Sequence, residues 1–428
     1  MAGLGAGHYL HSQGVPFTCY DKNPYLGGHT ASLRYPGGFV FDEGGHLSYT
    51  THDHVKQLLA DNVEGNFEER TLTIDNYWHG VRIPHPVQTS LRFLPSDLIV
   101  EVIADFAAIS NQARPDPAEQ NYEEWLRSTY GSTFAETFPM VYGTKYHTTT
   151  MDNLVTDWIG PRMYQPTLAE IVRGALPDPS RKPAHYVDVY RYPSRGGFQS
   201  YLEPFGDRFE ILLGHRVTSI DPATKTLRFS NGAERPYTSL VSSIPLPDLV
   251  RLIQGAPTRV AEAAQKLAYT TAILFNIAVD RADLSPTAIT YFYDEDIEFS
   301  RVNLPHMFSP NNAPPGCGLI QAEIYVSDKY RPLPGSPVDH YPQVIADLTR
   351  AGFLRESDTL LLQEIAVIKY ANVIYDLDRA DSVATVHRFL DDIGIRYCGR
   401  YGDWNHAWTD QAFVSGEEAA RLALGSCP

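Results

Sequence analysis

The sequence predicts a protein of the α/β class, and three observations support this prediction. Near its start, a helix of small residues from Leu4 to Ser12 precedes the alternating segment "VPFTCYD", which favours a short strand ending on Asp21. Residues 90–180 are mostly helical in pattern, whereas 209–243 and 270–326 are rich in predicted strands. Helical and strand-forming blocks therefore alternate along the chain.

The composition is that of a folded globular protein with room for two or three domains, because 43% of the 428 residues are hydrophobic and 20% are charged. The formal net charge of −16 argues against nucleic acid or an anionic membrane as a partner, since both attract basic surfaces. The cysteines Cys19, Cys317, Cys398 and Cys427 form no CxxC pair, so we expect no disulfide framework and no bound metal. Without an apolar run of about 18 residues or an export signal, the chain is predicted to be cytoplasmic.

Helices are predicted where apolar residues recur every three or four positions, in "HDHVKQLLADN", "SDLIVEVIADFAAISNQA" and "YEEWLRSTYG". In the strand-rich block 209–243, "SNGAE" has Asn-Gly at its centre, which is typical of a hairpin turn. The segment "DQAFVSGEEAARLALG" near the C-terminus predicts a helix introduced by Ser415 and Gly416 and ended by Gly425.

The opening segment "MAGLGAGHYLHSQG" resembles part of a dinucleotide-binding turn. Gly3, Gly7 and Gly14 have the spacing of the third glycine of G-x-G-x-x-G, a small residue one turn later and the glycine that ends the helix. A helix N-terminus offers free N–H groups to a pyrophosphate, and Asp21 is placed to accept hydrogen bonds from a ribose. On these residues alone, a small-residue helix beside a strand remains the alternative reading.

The segment "DKNPYLGGHTAS" makes the nucleotide signal more specific, because an acid that ends a strand is followed by a glycine pair. In this it resembles the flavoproteins with two dinucleotide-binding domains, which include amine oxidases, protoporphyrinogen oxidase, phytoene desaturases and UDP-galactopyranose mutase. The resemblance implies FAD as the bound nucleotide. The residues that it places at this cofactor, beside Gly3, Gly7 and Asp21, are Lys22, Gly27, Gly28, His29, Thr30 and Gly45.

A second segment, "GGFVFDEGGHLSYT", fits the same group and implies that His46 reaches the flavin ring; a turn histidine bonded to local backbone is the alternative. Val217, in "GHRVTSI", would contact the adenine through its backbone or would be a plain strand residue. "GRYGDWNHAWTDQAFVSGEEAA" resembles the C-terminal flavin segment, which implies that Asp410, Ser415 and Gly416 lie at the cofactor.

Further segments resemble the UDP-galactopyranose mutases in particular. Residues 121–162 resemble their helical cap, in which a Tyr-x-x-Lys pair precedes Trp-x-x-x-Arg; here these are Tyr142, Lys145, Trp158 and Arg162. "FSRVNLPHMFSP" resembles the strand whose arginine, here Arg301, reaches the substrate diphosphate.

The resemblance implies an FAD-dependent isomerase that interconverts the pyranose and furanose forms of a UDP-sugar such as UDP-galactose through N5 of the reduced flavin. His46, Arg162 and Arg301 are the predicted catalytic residues. Guanidinium groups would stabilise the charge of the departing diphosphate, although either arginine could instead form a structural ion pair. The predicted substrate-binding residues are Gln88, Trp158, Arg162, Arg301 and Tyr375.

The chain departs from the mutases at the end that would hold the uracil. Eukaryote-like mutases carry Tyr-Pro-Phe-Gln where this chain has "PHPVQ", so that Gln88 is kept but Val87 replaces the stacking ring. Loss of such a ring removes about 1–3 kcal/mol of binding free energy in a stacked nucleotide site. His147 stands where relatives have a tryptophan. The alternative function is therefore an FAD-dependent oxidoreductase of the amine oxidase or protoporphyrinogen oxidase type.

The predicted architecture is a Rossmann-like FAD domain assembled from residues 1–65, 190–260 and 386–428, with a helical cap at 66–189 and a sheet-rich substrate region at 261–385. The first strand of the FAD domain is missing from the chain, and we expect that Met1 is an internal methionine of a longer protein. A non-enzymatic chain that binds FAD poorly is a further alternative. The expected partner is a nucleoside diphosphate sugar, and a homo-oligomer is one of the oligomeric states left open.

Overall fold

The computed structural model describes residues 1–71, 73–110, 112, 115–160, 163–177 and 189–425. The helices are α1 (Ala2–Ser12), α2 (Asp53–Asn62), α3 (Ser96–Ser110), α4 (Tyr122–Tyr130), α5 (Ser132–Thr137), α6 (Pro139–His147), α7 (Leu168–Ala175), α8 (Phe205–Arg208), α9 (Leu246–Leu252), α10 (Thr258–Lys266), α11 (Pro305–Phe308), α12 (Tyr341–Arg350), α13 (Arg379–Asp392), α14 (Gly399–Gly402) and α15 (Thr409–Gly425). The strands are β1 (Cys19–Tyr20), β2 (Ser32–Tyr35), β3 (Phe39–Asp42), β4 (Phe67–Thr71), β5 (Ile74–Trp78), β6 (Val81–Pro84), β7 (Val189–Pro193), β8 (Ile211–Leu212), β9 (Val217–Asp221), β10 (Thr226–Phe229), β11 (Glu234–Pro236), β12 (Leu240–Ser242), β13 (Tyr269–Val279), β14 (Ile289–Phe292), β15 (Arg301–Asn303), β16 (Gly318–Val326), β17 (Leu360–Val373) and β18 (Ile395–Tyr397).

A seven-stranded mixed sheet forms the largest element, in the order β17-β13-β16-β15-β14-β5-β6. The strand β13, which lies between β17 and β16, has the sequence YTTAILFNIAV, a run of aromatic and β-branched residues that suits a strand buried on both faces. Phe275, Phe292 and Phe299 are completely buried in the core of this sheet. The sheet therefore presents a rigid wall, from which the strand β15 can position a side chain precisely.

Helices α3 to α7 surround a second core, in which Leu91, Leu126 and Ala135 are completely buried and Phe138 is 1% exposed. The helix α4 begins with a capping box between Asn121 and Glu124, so its end is fixed by side chains that the sequence itself supplies.

The two ends of the chain meet where α1 packs against α15. A Cβ at Gly416 would lie 1.9 Å from the carbonyl oxygen of Ala2, and one at Gly5 would lie 2.0 Å from that of Phe413. These helices can therefore approach so closely only because both positions lack a side chain. Nearby, β1 pairs in parallel with β8, and β12 in parallel with β18.

The predicted α/β class is confirmed, as is the order of α1, then β1, then Asp21. Residues 226–236 form the predicted hairpin, with β10 antiparallel to β11. Two features differ from the sequence prediction. Ile74–Trp78 and Val81–Pro84, placed in the cap by the predicted boundaries, are the strands β5 and β6 of the large sheet, and the last helix begins at Thr409 rather than at Ser415. No helix within the described ranges has the length and apolar character needed to cross a membrane.

A buried carboxylate, that of Asp42 at the end of β3, connects separate parts of the fold. Its Oδ1 accepts hydrogen bonds from the Ser32 hydroxyl at 2.6 Å and the Phe198 N–H at 3.0 Å, and its Oδ2 accepts one from the Tyr192 hydroxyl at 2.8 Å. Burial raises the pKa of Asp42 to about 6. Asp42 therefore joins β2, β7 and the turn that follows β7.

We expect Asp42→Asn to lower the free energy of unfolding by about 1–3 kcal/mol at neutral pH, because an amide NH2 would face hydrogen-bond donors. Between its ordinary pKa of 3.8 and the raised value of about 6, native Asp42 holds a proton that the unfolded chain has released, so its contribution to stability falls as the pH rises through this window. Urea unfolding at several pH values measures both effects.

The variant should lose this pH dependence, whereas Asp392→Asn, an exposed change at the end of α13, should keep it. If the free energy of unfolding of the native protein and of Asp42→Asn had the same pH dependence, the raised pKa of Asp42 would be contradicted.

Candidate functional site

One cavity of about 1920 Å³ extends from α1 into the space between the helical cap and the large sheet. Its first part is lined by the start of α1, by Asp21 and Lys22 after β1, and by residues 27–30. Its far part is lined by residues of α6, of β14 to β16 and of the segment 398–410. The cavity is thus long enough to hold an extended ligand that touches several distant segments.

Backbone alone forms part of the wall at two glycine turns. Gly28 has φ +57° and Gly44 has φ +93°, and a Cβ at either position would have no protein atom within 4 Å. Both residues line the cavity, so a bound group can approach the backbone directly there. Gly45 faces the other way, since its Cβ would meet the Asn303 side chain at 3.0 Å.

Gly3, Gly7 and Asp21, which the sequence predicted for a nucleotide, all line the α1 end of the cavity. Gly7 also allows close packing, because a Cβ there would lie 2.7 Å from the ring of Phe209. The Asp21 carboxylate accepts a hydrogen bond from the Asn23 N–H at 2.8 Å, and burial raises the pKa of Asp21. Val217 lies at the same end of the cavity.

Glu43 joins the two glycine turns. Its carboxylate accepts a hydrogen bond from the Tyr25 hydroxyl at 2.9 Å and lies 3.3 Å from Nδ1 of His29. The Thr30 hydroxyl donates to the carbonyl of Gly27 at 2.8 Å. His29 and Thr30 therefore shape the turn as well as lining the cavity.

His46 lies in the cavity wall directly after the second glycine turn. Its Nδ1 is 2.7 Å from the carbonyl oxygen of Gly44, and only a protonated nitrogen can donate there. Burial lowers the pKa of His46 to about 4. The ring is thus neutral near pH 7, and its Nε2 is left as a hydrogen-bond acceptor.

The start of α15 also lines the cavity, through Thr409, Asp410 and Ala412. Ser415 and Gly416 are placed differently from the sequence prediction. The Ser415 hydroxyl donates to Asp403 at 2.6 Å and accepts from the Gly399 N–H at 2.9 Å, while Gly416 packs on Ala2. Neither residue lines the cavity, because their contacts with Gly399, Asp403 and Ala2 lie on another side of α15.

Arg301 lines the far part of the cavity and is ion-paired. Its Nε and Nη2 donate to Glu323 at 3.0 and 2.8 Å, directly across the β15–β16 pair. Glu323 is completely buried and also accepts from Asn303 at 2.6 Å and from the Tyr325 hydroxyl at 2.5 Å. This carboxylate offsets the charge of Arg301 and fixes the orientation of its guanidinium group.

Arg400 is a cavity residue that the sequence prediction missed. Its Nη2 donates to Asn372 Oδ1 at 2.7 Å and its Nη1 to the Ala407 carbonyl at 3.4 Å, while its Nε is buried without a partner. Within the described part of the chain, Arg400 has no carboxylate partner. Its position in "GRYGDW", within the segment that resembles the C-terminal flavin segment, was the available signal. A guanidinium with unbalanced charge in a cavity wall suits an anionic ligand.

The predicted substrate residues have different surroundings. Gln88 and Trp158 line the cavity; Gln88 donates to the carbonyl of Tyr164 at 3.3 Å, and the Trp158 indole N–H donates to that of Val155 at 2.9 Å. Tyr375 is buried behind the wall, where its hydroxyl accepts from the N–H of His406 at 3.1 Å. Val87 belongs to the core that is surrounded by helices α3 to α7.

Arg162, a predicted catalytic and substrate-binding residue, lies outside the described residues. The wall around Arg301 consists largely of tyrosines. Those that line the cavity are Tyr142, Tyr146, Tyr291, Tyr293 and Tyr325.

The family model described as flavin containing amine oxidoreductase matches residues 1–424. Among solved structures, that of reduced UDP-galactopyranose mutase superposes with a TM-score of 0.90 at 22% identity, covering 100% of this chain and 94% of that one. The fatty acid isomerase from P. acnes that produces CLA gives 0.68 at 13% identity, covering 98% and 96%. Wild-type putrescine oxidase bound to putrescine gives 0.60 at 14% identity, covering 99% and 97%. The TM-scores show that these proteins share the fold of this chain.

Replacing one partner of the Arg301–Glu323 ion pair should destabilise the protein more than replacing both partners. We expect Glu323→Gln to lower the free energy of unfolding by about 3 kcal/mol, because Arg301 is left without its counter-charge. Combining it with Arg301→Met should cost less than the sum of the two single changes. Urea unfolding of all four proteins gives the coupling energy, and strictly additive effects would contradict the structural account of this pair.

Proposed function

The chain belongs to the flavin-containing amine oxidoreductase family, and from that premise we propose that it is an FAD-dependent nucleotide-sugar mutase. The substrate class is a nucleoside diphosphate sugar, such as UDP-galactose, whose pyranose and furanose forms are interconverted. The observation that carries the proposal is the pair of guanidinium groups, Arg301 and Arg400, in the wall of one continuous cavity. The likeness in fold to a reduced UDP-galactopyranose mutase supports it.

The residues at the α1 end fit FAD. The bare backbone at Gly28 and Gly44 leaves room for a bound group, the free N–H groups of the first turn of α1 suit a pyrophosphate, and Asp21 suits a ribose. Lys22, Gly27, Gly45, Val217 and Asp410 would complete the cofactor site. When bound and reduced, the flavin supplies a nucleophilic nitrogen, N5.

Charge in the far part of the cavity favours a diphosphate over an amine. The carboxylate of Glu323 there is fully engaged by Arg301, Asn303 and Tyr325, whereas Arg400 carries an unbalanced positive charge. A cationic amine would be repelled, and a departing diphosphate would gain charge-assisted hydrogen bonds. Arg400 would thus hold the leaving group, with Arg162 and Arg301 as the further guanidinium groups of this role.

Asn372 positions both Arg400 and a neighbouring hydroxyl. Its Oδ1 accepts from Arg400 Nη2 at 2.7 Å and from the Tyr146 hydroxyl at 2.8 Å. This contact holds the guanidinium of Arg400 in place, which reduces the conformational cost of binding an anion. His46, neutral and with Nε2 as an acceptor, would bond to a donor of the flavin or of the substrate and would not donate a proton at neutral pH.

The decisive experiment incubates dithionite-reduced protein with UDP-galactofuranose and follows the appearance of UDP-galactopyranose by chromatography. Turnover by the reduced but not the oxidised protein supports the mutase. Loss of the oxidised-flavin absorbance on adding an amine or a tetrapyrrole precursor, without sugar turnover, would reject it.

That second outcome would support an oxidoreductase of the amine oxidase or protoporphyrinogen oxidase type. One observation favours this candidate: the tyrosines of the cavity wall are packed ring against ring, with Tyr142 stacked on Tyr146 at 5.8 Å and set edge-on to Tyr291 at 5.4 Å. Aromatic walls suit apolar or cationic substrates that are oxidised beside a flavin.

We expect Gly28→Ala to lower the flavin content of the purified protein by at least half, because its Cβ would enter the space next to the cofactor turn. Gly255→Ala is the matched control: it has a similar backbone (φ +74°), equally open surroundings and no place in the cavity wall. Both changes should cost similar stability, about 1 kcal/mol. Equal flavin content in the two variants would contradict the cofactor assignment.

We expect Arg400→Met to weaken UDP binding at least tenfold, since a charge-assisted hydrogen bond contributes about 1.5–3 kcal/mol. Arg421→Met, which removes an exposed arginine of α15 paired with Glu418, should leave UDP binding unchanged. Titration calorimetry with the flavin-loaded proteins measures both. Normal UDP affinity in Arg400→Met would exclude Arg400 as a phosphate ligand.

A further inference from the structure

His147, at the end of α6, is a buried polar residue in the cavity wall with no hydrogen-bond partner for its ring. It lines the cavity and is 4% exposed. Its Nδ1 is buried without a partner, and among the described residues none bonds to the other ring nitrogen. An unpaired polar group in this position costs about 1–3 kcal/mol unless a ligand satisfies it.

The neighbours of His147 are aromatic rings. Tyr146 and Trp158 lie at ring-centroid distances of 4.9 and 5.2 Å, and Tyr122 and His406 both at 6.3 Å. These rings hold the imidazole in place without neutralising its hydrogen-bonding capacity. Burial alone lowers the pKa of His147 to about 3, so the ring is neutral and offers one donor and one acceptor.

Three neighbouring polar side chains of this wall are hydrogen-bonded within the protein. Trp158 donates to Val155, Gln88 donates to Tyr164, and the Tyr146 hydroxyl donates to Asn372. His147 differs from these three, because no described residue bonds to its ring. A phenylalanine would satisfy the same aromatic shell at lower cost, so the imidazole serves a ligand rather than stability.

We propose that His147 determines specificity at this wall by forming a hydrogen bond with an uncharged polar group of the substrate. This inference rests on the proposed function, and the group is either a hydroxyl of the transferred sugar or the amide edge of the base. A phosphate is better matched by the charged guanidinium of Arg400, which is linked to Tyr146, the neighbour of His147, through Asn372.

The test compares His147→Phe with native flavin-loaded protein. We expect the dissociation constant of UDP-galactose to rise about tenfold, as for the loss of one neutral hydrogen bond, while the Tm without ligand stays equal or rises. His147→Gln, which keeps a donor and an acceptor, should recover part of the affinity. Parallel titration with UDP identifies the source: loss for both ligands indicates the nucleoside, and loss for UDP-galactose alone indicates the sugar.

A matched control is His306→Phe, since His306 is away from the cavity and both its nitrogens are bonded, to the backbone of Leu319 and Ala282 at 3.2 Å. This change should lower Tm and leave ligand affinity unchanged. Unchanged affinity for both ligands in His147→Phe, or a fall in Tm as large as that of His306→Phe, would overturn the inference. If the native protein binds neither ligand, the proposed function fails and this inference fails with it; native binding with unaffected His147→Phe refutes the inference alone.

Discussion

The buried carboxylate of Asp42 fixes the position of the turn that begins the cavity wall. It lies at the end of β3, accepts hydrogen bonds from Ser32, Tyr192 and Phe198, and is followed at once by Glu43 and the glycine turn. Its carbonyl oxygen accepts from Gln321 Nε2 at 2.9 Å, which ties the turn to β16 of the large sheet. A buried carboxylate is tolerated only when its oxygens are satisfied. The same bonds that satisfy Asp42 therefore fix the position of the turn that begins the cavity wall.

Beyond this turn, the residue composition of the cavity wall changes along the length of the cavity. At the α1 end the wall is backbone and small residues, which leaves room for a nucleotide; at the far end it is tyrosine, imidazole and guanidinium. Arg301 and Arg400 illustrate how two similar residues acquire different electrostatic roles. Arg301 is paired with a completely buried Glu323, while Arg400 donates to the neutral acceptors Asn372 and Ala407 and has no carboxylate partner among the described residues. Lys145, the lysine of the Tyr-x-x-Lys pair, donates to the carbonyl of Asp294 at 3.0 Å, and burial lowers its pKa to about 7.

Much of the fold could be predicted from the sequence, because its signals are local. Alternating or three-four periodicity gave the position of α2, α3 and α4 and of the hairpin around Asn231, and the glycine spacing placed α1 before Asp21. The start of α15 could not be predicted this way. Ser415 and Gly416 have the composition of a helix N-cap, but in the structure their roles are packing against α1 and bonding to Gly399 and Asp403, which are contacts distant in sequence.

The sequence by itself determined the α/β class, which follows from periodicity. The spacing of Gly3, Gly7 and Asp21, together with the resemblance to the flavoproteins with two dinucleotide-binding domains, predicted residues that line the cavity at its α1 end. Only the tertiary structure decided that β5 and β6 join the large sheet, that Tyr375 lies behind the cavity wall, and that Arg400 faces into it. The reason is physical: whether a side chain is paired, buried or free depends on neighbours from other segments. Glu323 gives Arg301 its counter-charge from the adjacent strand, and no pattern in the segment around Arg301 contains that information.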